Sequence, residues 1–125
     1  MLKIEVPYNL LCEKYGKYNV IPRSEAFVEL GILKPGQAVS GDYDVSYKDT
    51  EGNEFFVEVK TGSRNMFYMS PGELQFAKSH SDSYRVYYVY DIESNSPKYS
   101  ILPDKFWEDN NFRITEIVEK IEIVF

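Results

Sequence analysis

The chain has 125 residues, 43% of them hydrophobic, which is enough for one core and one domain but too little for two. Its 20 acidic residues against 14 basic give a net charge of −6, which excludes a broad cationic face and leaves only local contact with any polyanion. A single cysteine, Cys12, and a single histidine, His80, exclude an internal disulfide and the usual Cys/His zinc sites; with no membrane-length apolar run and no secretory leader, the expected setting is the cytoplasm.

In chain order, Ile4 to Leu11 reads as a short strand or a turn around Pro7. Ser24 then precedes SEAFVELGIL, where Phe27, Leu30 and Leu33 recur at helical spacing; Ser24 suits an N-cap and Lys34-Pro35-Gly36 a stop. DYDVSYK (42–48) alternates its side chains, DTEGN (49–53) is turn-forming and EFFVEVKTG (54–62) is a second strand, so the three predict an antiparallel hairpin. The stretch MSPGELQFAKSHSD opens a helix, with Ser70 as N-cap, Pro71 at its first position and Glu73 at its third. YRVYYVYDI (84–92) is a buried strand, and a helix between two strands predicts a parallel crossover. SPKYSILP predicts a further strand and PDKFWED a short helical turn opened by Pro103. The last stretch, RITEIVEKIEIVF, fits a helix through Ile114, Ile117, Val118 and Ile121 and a strand through Ile121, Ile123 and Phe125; the strand is preferred for its end. The abundant rings, 11 Tyr and 8 Phe, lie mostly in these alternating segments and suit packing on a pleated surface better than base stacking.

The stretch FFVEVKTG carries the chemistry. Val57 and Val59 supply a core face, while Phe56, Glu58 and Lys60 share the other. On the partner strand Asp44 comes within cross-strand reach of Glu58. Two carboxylates at close range cost free energy that Lys60 offsets only in part, and a divalent cation resolves the conflict. Oxygen ligands favour Mg²⁺ or Mn²⁺, held by Asp44, Glu58 and the Val59 carbonyl; Lys60 would then orient or deprotonate a water or stabilise charge on a phosphate. The alternative is a solvated strand pair in which both charges face water.

Other side chains have two readings each. Glu73 suits a capping box and also an approach to the site; Glu25 and Glu29 are acids on the preceding helix. Arg64 and Asn65, in the loop leaving the Lys60 strand, are placed to touch phosphate, and Gln75, Lys78 and Arg85 complete a candidate nucleic-acid-binding set. Lys78, His80 and Arg85 also suit the negative end of a helix, and Asp42 is a reserve ligand on the Asp44 face.

Asp44 in GDYDVS, Glu58-Val59-Lys60 in FVEVKTG, the following helix and the aliphatic strand together resemble the PD-(D/E)xK nuclease superfamily. More narrowly, residues 41 to 92 are similar to the domain named for the C-terminus of the NO VEIN protein. Tyr43 to Val45, Val57 to Lys60, Ser70 with Glu73, and Tyr84 with Tyr87 or Tyr88 and Val89 fall in that family's order. Tyr43 stands where the superfamily has its proline.

The resemblance implies an α/β fold with a restriction-endonuclease-like αβββαβ core, its mixed central sheet flanked by helices. The expectation is a single domain over 1–125, with its core at about 24–92 and a C-terminal extension at 93–125. The implied function is a Mg²⁺- or Mn²⁺-dependent endonuclease acting in restriction, defence or repair through Asp44, Glu58 and Lys60. DNA is favoured over RNA, and the acidic balance asks for a homodimer or a larger partner protein. The competing reading is a catalytically silent module that keeps the fold to bind a protein or a nucleic acid.

Overall fold

The computed structural model describes residues 2–125. The chain begins with a helix, α1 (Glu5–Tyr15), where a strand or turn was expected. Pro7 falls in its first turn, where backbone N–H groups have no helical partner, so the missing donor costs nothing. Pro7 and Leu11, one turn apart, are the residues it buries. A short 3-10 turn (Lys17–Asn19) leads into β1 (Val20–Pro22).

The helix expected from Ser24 shrinks to α2 (Ala26–Glu29). Ser24 does not cap it: Glu25 takes the N-cap position, and the Ser24 N–H is drawn to the Asp44 carbonyl at 3.0 Å. Gly31, at φ +75°, turns the chain before Lys34-Pro35-Gly36 is reached. Phe27, fully buried, anchors this turn of helix.

The expected hairpin is present as β2 (Val45–Lys48) and β3 (Glu54–Thr61), in antiparallel register with Val45 opposite Val57. Asp49 shapes the turn, its carboxylate accepting the N–H groups of Glu51 and Asn53, both at 2.9 Å. β4 (Met66–Met69), which the sequence did not announce, precedes α3 (Pro71–Ser79). At the start of α3 the Ser70 hydroxyl accepts the Glu73 N–H at 3.0 Å and the Glu73 carboxylate accepts the Ser70 N–H at 2.8 Å, a complete capping box.

β5 (Tyr84–Tyr90) returns parallel to β3, with α3 as the crossover. β6 (Lys98–Ile101) pairs antiparallel with β5, and a 3-10 turn at Phe106–Glu108 follows. The ambiguous C-terminus is a hairpin, β7 (Arg113–Ile117) and β8 (Lys120–Val124), turning at Glu119 with φ +62°. The strand preferred for its end is present, whereas the helical period through Ile114 and Ile121 is a coincidence of two strands.

The result is an α/β fold with a mixed five-stranded sheet ordered β1-β2-β3-β5-β6 and a second sheet ordered β4-β8-β7. Each face of the large sheet carries a core. Val45, Val57, Val59 and Val89 pack with Ile4, Leu11 and Phe27 from α1 and α2. Val86 and Tyr88 pack on the other face with Leu74 and Ala77 of α3 and Phe67, Ile121 and Ile123 of the second sheet. Val57 and Val59 are both 0% exposed, and burying each contributes about 1.5–3 kcal/mol. Among the described residues no helix is long and apolar enough to cross a membrane.

Candidate active site

The site lies where β3 runs on past the start of β2. Upstream of Val45 the chain turns away through Gly41 (φ +84°) and Asp42 (φ +66°), so the ladder stops there. Asp42 is therefore outside the strand and does not follow its alternation: it pairs with Arg23 at 3.8 Å instead of sharing the Asp44 face. On the β2 side Val59 is left without a facing residue, while on the other side it pairs with Tyr87 of β5. Its N–H donates to Asp44 Oδ2 at 2.8 Å, and its carbonyl accepts Lys3 Nζ at 3.2 Å. Asp44 is held further by its own N–H to the Val57 carbonyl at 2.9 Å and by the Arg23 and Ser24 N–H groups on its carbonyl at 3.0 Å.

Continuing the hairpin register by one pair sets Asp44 opposite Glu58. Glu58 is 5% exposed, on the sheet face covered by α3. Burial first, and the Asp44 charge second, push its carboxyl up to about 10 despite the opposing effect of Lys60. Lys60 Nζ is 3.6 Å from Glu58 Oε1 and 3.0 Å from Glu73 Oε1. Burial acts to raise Glu73, but the Lys60 charge and the Ser70 N–H outweigh it and hold that carboxyl below its usual value. The capping box and the approach to the site, posed as alternatives for Glu73, are both present. One oxygen, Oε1, accepts from Ser70 and from Lys60.

Tyr84, in the sequence one aromatic of a buried strand, also belongs here. It lies on β5 opposite Phe56 and is 4% exposed, with its hydroxyl buried and without a hydrogen-bond partner. Burial, then the charges of Glu58, Glu73 and Asp44, push its phenol far above the usual range. No sequence signal separates this tyrosine from its neighbours; only the parallel register brings it beside the acids.

The remaining candidates do not gather in one place. Arg64 and Asn65 form the exposed turn between β3 and β4, both at positive φ (58° and 53°). Gln75 and Lys78 line a groove between α3 and β8 with Leu74 and Ile121. Arg85 lies on the opposite face of the large sheet from Glu58: its guanidinium covers Phe55, donates to the Tyr84 carbonyl at 2.9 Å and pairs with Asp104 at 3.3 Å. His80 stacks on Phe76 with ring centroids 4.0 Å apart, with Nδ1 3.0 Å from the Phe76 carbonyl. Glu25 and Glu29 are exposed on α2 and make no ion pair among the described residues.

No group of three or more His, Cys, Asp or Glu side chains among the described residues forms a ready-made metal cage. The donors present are nevertheless all oxygen: the Asp44 and Glu58 carboxylates across the ladder and the Val59 carbonyl beside them. A hard cation that keeps most of its own waters needs only one or two protein carboxylates, so this set fits Mg²⁺ or Mn²⁺.

Neither the curated proteins nor the solved structures include a match to this chain. A family model does match: the family described as Protein NO VEIN, C-terminal, aligns with residues 24–102, from the loop before α2 to the end of β6. That span includes Asp44, Glu58, Lys60, Glu73 and Tyr84 and more than half of the chain, and the protein belongs to the NO VEIN C-terminal family.

Proposed function

We propose that this protein is a Mg²⁺- or Mn²⁺-dependent nuclease domain that hydrolyses phosphodiester bonds, with DNA the favoured substrate. The observation that carries the reading is the buried Glu58 carboxyl, opposite Asp44 and 3.6 Å from Lys60, in a cluster where one lysine stands among three acids. A purely structural strand gains nothing from such a group, since an apolar residue of similar size would be as stable or more so. The order α1, β1, β2, β3, α3, β5 supports a restriction-endonuclease-like αβββαβ core, with α2 and β4 as insertions.

In this reading Asp44 and Glu58 hold the cation, with the Val59 carbonyl as a further donor. A bound Mg²⁺ or Mn²⁺ supplies Lewis acidity toward the phosphodiester. Lys60 donates from Nζ to a phosphate oxygen and stabilises the charge that builds there as water adds to phosphorus and the ester oxygen leaves. Glu73 aims Lys60 and is itself fixed by the Ser70 N–H. The phenol of Tyr84 is a free donor on the same face. Arg64 and Asn65, at the exit of β3, are the nearest candidates in sequence for contacts to flanking phosphates.

The net charge of −6 favours a second reading, a catalytically silent module that binds a partner through the same fold. Incubation with Mg²⁺ or Mn²⁺ and single- or double-stranded DNA and RNA, with Lys60→Ala as control, separates the two. Metal-dependent cleavage that Lys60→Ala abolishes supports the nuclease. No cleavage of any substrate, together with measurable partner affinity, overturns it in favour of the module.

A further inference from the structure

The Val59 carbonyl already has a cation on it. Lys3 Nζ donates to it at 3.2 Å, across 56 residues of sequence, and the contact is half-buried. Its neighbour Ile4 is fully buried against the large sheet and carries the first turn of α1, so the backbone that launches the Lys3 side chain is fixed. The side chain is not: among the described residues it makes no ion pair within 4.0 Å and no other hydrogen bond. Four rotatable bonds let it leave without disturbing Ile4.

An ammonium and a divalent cation seek the same carbonyl dipole, and Lys3 is already on it. They repel each other strongly at contact distance in a partly buried site. A cation on the Val59 oxygen is therefore opposed by the Lys3 charge.

We infer that Lys3 is a built-in competitor for the Val59 carbonyl, a positioning residue that satisfies that oxygen when no metal is bound and whose charge opposes a metal there. This rests on the proposed function, because it takes the Asp44, Glu58 and Val59 oxygens as the metal donors. Lys3 thereby sets the metal affinity of the site.

The test is Mn²⁺ binding to the full chain, followed by electron paramagnetic resonance of free Mn²⁺ and by calorimetry, without any nucleic acid. Four proteins are compared: wild type, Lys3→Met, Lys3→Arg and Glu58→Gln, each checked for fold by circular dichroism. Lys3→Met keeps the stem and removes the charge, and should bind Mn²⁺ on the order of tenfold more tightly. Lys3→Arg keeps the charge and should stay near wild type, while Glu58→Gln should lose binding. Equal affinity for wild type and Lys3→Met, with Glu58→Gln still weakened, overturns the competition and leaves the metal site standing. Weaker binding by Lys3→Met overturns it too, making Lys3 a support for the bound state. Absence of Mn²⁺ binding by both wild type and Lys3→Met overturns the metal reading and this inference with it. Binding by Lys3→Met alone is the strongest support, since then the charge of the lysine by itself keeps the metal off the Val59 carbonyl.

Discussion

The Asp44 carboxylate accepts the Val59 N–H at 2.8 Å, standing in for the strand backbone that turns away at Asp42. A side chain thus completes a ladder at the point where β2 and β3 part. The same carboxylate that closes the ladder faces Glu58, so in the proposed function one residue serves both stability and chemistry. Removing the oxygen, as in Asp44→Ala, strands a buried N–H and should cost about 1–3 kcal/mol in urea unfolding. Asp44→Asn keeps an acceptor and should cost under about 1 kcal/mol. Both should lose metal-dependent cleavage; an active Asp44→Asn would remove Asp44 from the metal site.

Glu58 makes stability depend on pH. Its carboxyl rises from 4.5 to about 10 on folding, so the folded state holds a proton that the unfolded chain releases. The contribution is fully present below 4.5 and is lost as pH climbs toward 10, so melting temperature should fall between about pH 5 and about pH 9. Glu58→Gln, which mimics the protonated acid, should flatten this slope and exceed wild type by roughly 3 kcal/mol at the alkaline end. Added Mn²⁺ should recover part of the loss in wild type and none in Glu58→Gln. A wild-type melting temperature that rises with pH over this range would contradict the placement of Glu58.

Glu73 has two functions that two substitutions separate. Glu73→Ala removes the reciprocal half of the capping box and should destabilise by about 1 kcal/mol. Glu73→Gln retains an acceptor for the Ser70 N–H, so it should unfold close to wild type while leaving Lys60 without its ionised partner. Cleavage by Glu73→Gln should drop although its stability does not. Unchanged cleavage would assign Glu73 to the cap alone.

Gly62 is required by space. A Cβ there would overlap the Met66 carbonyl and touch the Tyr88 hydroxyl at 3.3 Å. Gly62→Ala should therefore push β4 from β3 and lower stability by about 1–3 kcal/mol, read as a shift in the urea midpoint. A neutral result would mean that the turn holding Arg64 and Asn65 relaxes freely.

What could be read from the sequence was local. β3 announced itself because valines and charges alternate through FFVEVK, and α3 because Ser70, Pro71 and Glu73 fall at cap spacing. The opposition of Asp44 and Glu58 followed from the hairpin. α1 was missed because Pro7 reads as a breaker unless it falls in the first turn, and α2 was overextended because Gly31 ended it early. β4 is only Met66–Met69 and is a strand because β8 lies beside it, a pairing that no local pattern encodes. Lys3 and Tyr84 were illegible as neighbours of the site for the same reason: one arrives from the chain start and the other through a parallel crossover. Arg85 does not share the Glu58 face, because strand alternation turns its side chain over Phe55.

The pairing of β4 with β8 also sets an order of events. Met66 meets Val124, and the Phe125 N–H closes on the Asn65 carbonyl at 3.0 Å. A chain emerging from the ribosome can form the β2–β3 hairpin, α3 and β5 before β8 has been made. The turn beyond Lys60 must wait for that strand, so it should be the last part of the site to become rigid. In pulse-labelled hydrogen exchange during refolding, the Met66–Met69 amides should gain protection after those of Phe56 to Lys60. Simultaneous protection would mean that the two sheets form as one unit.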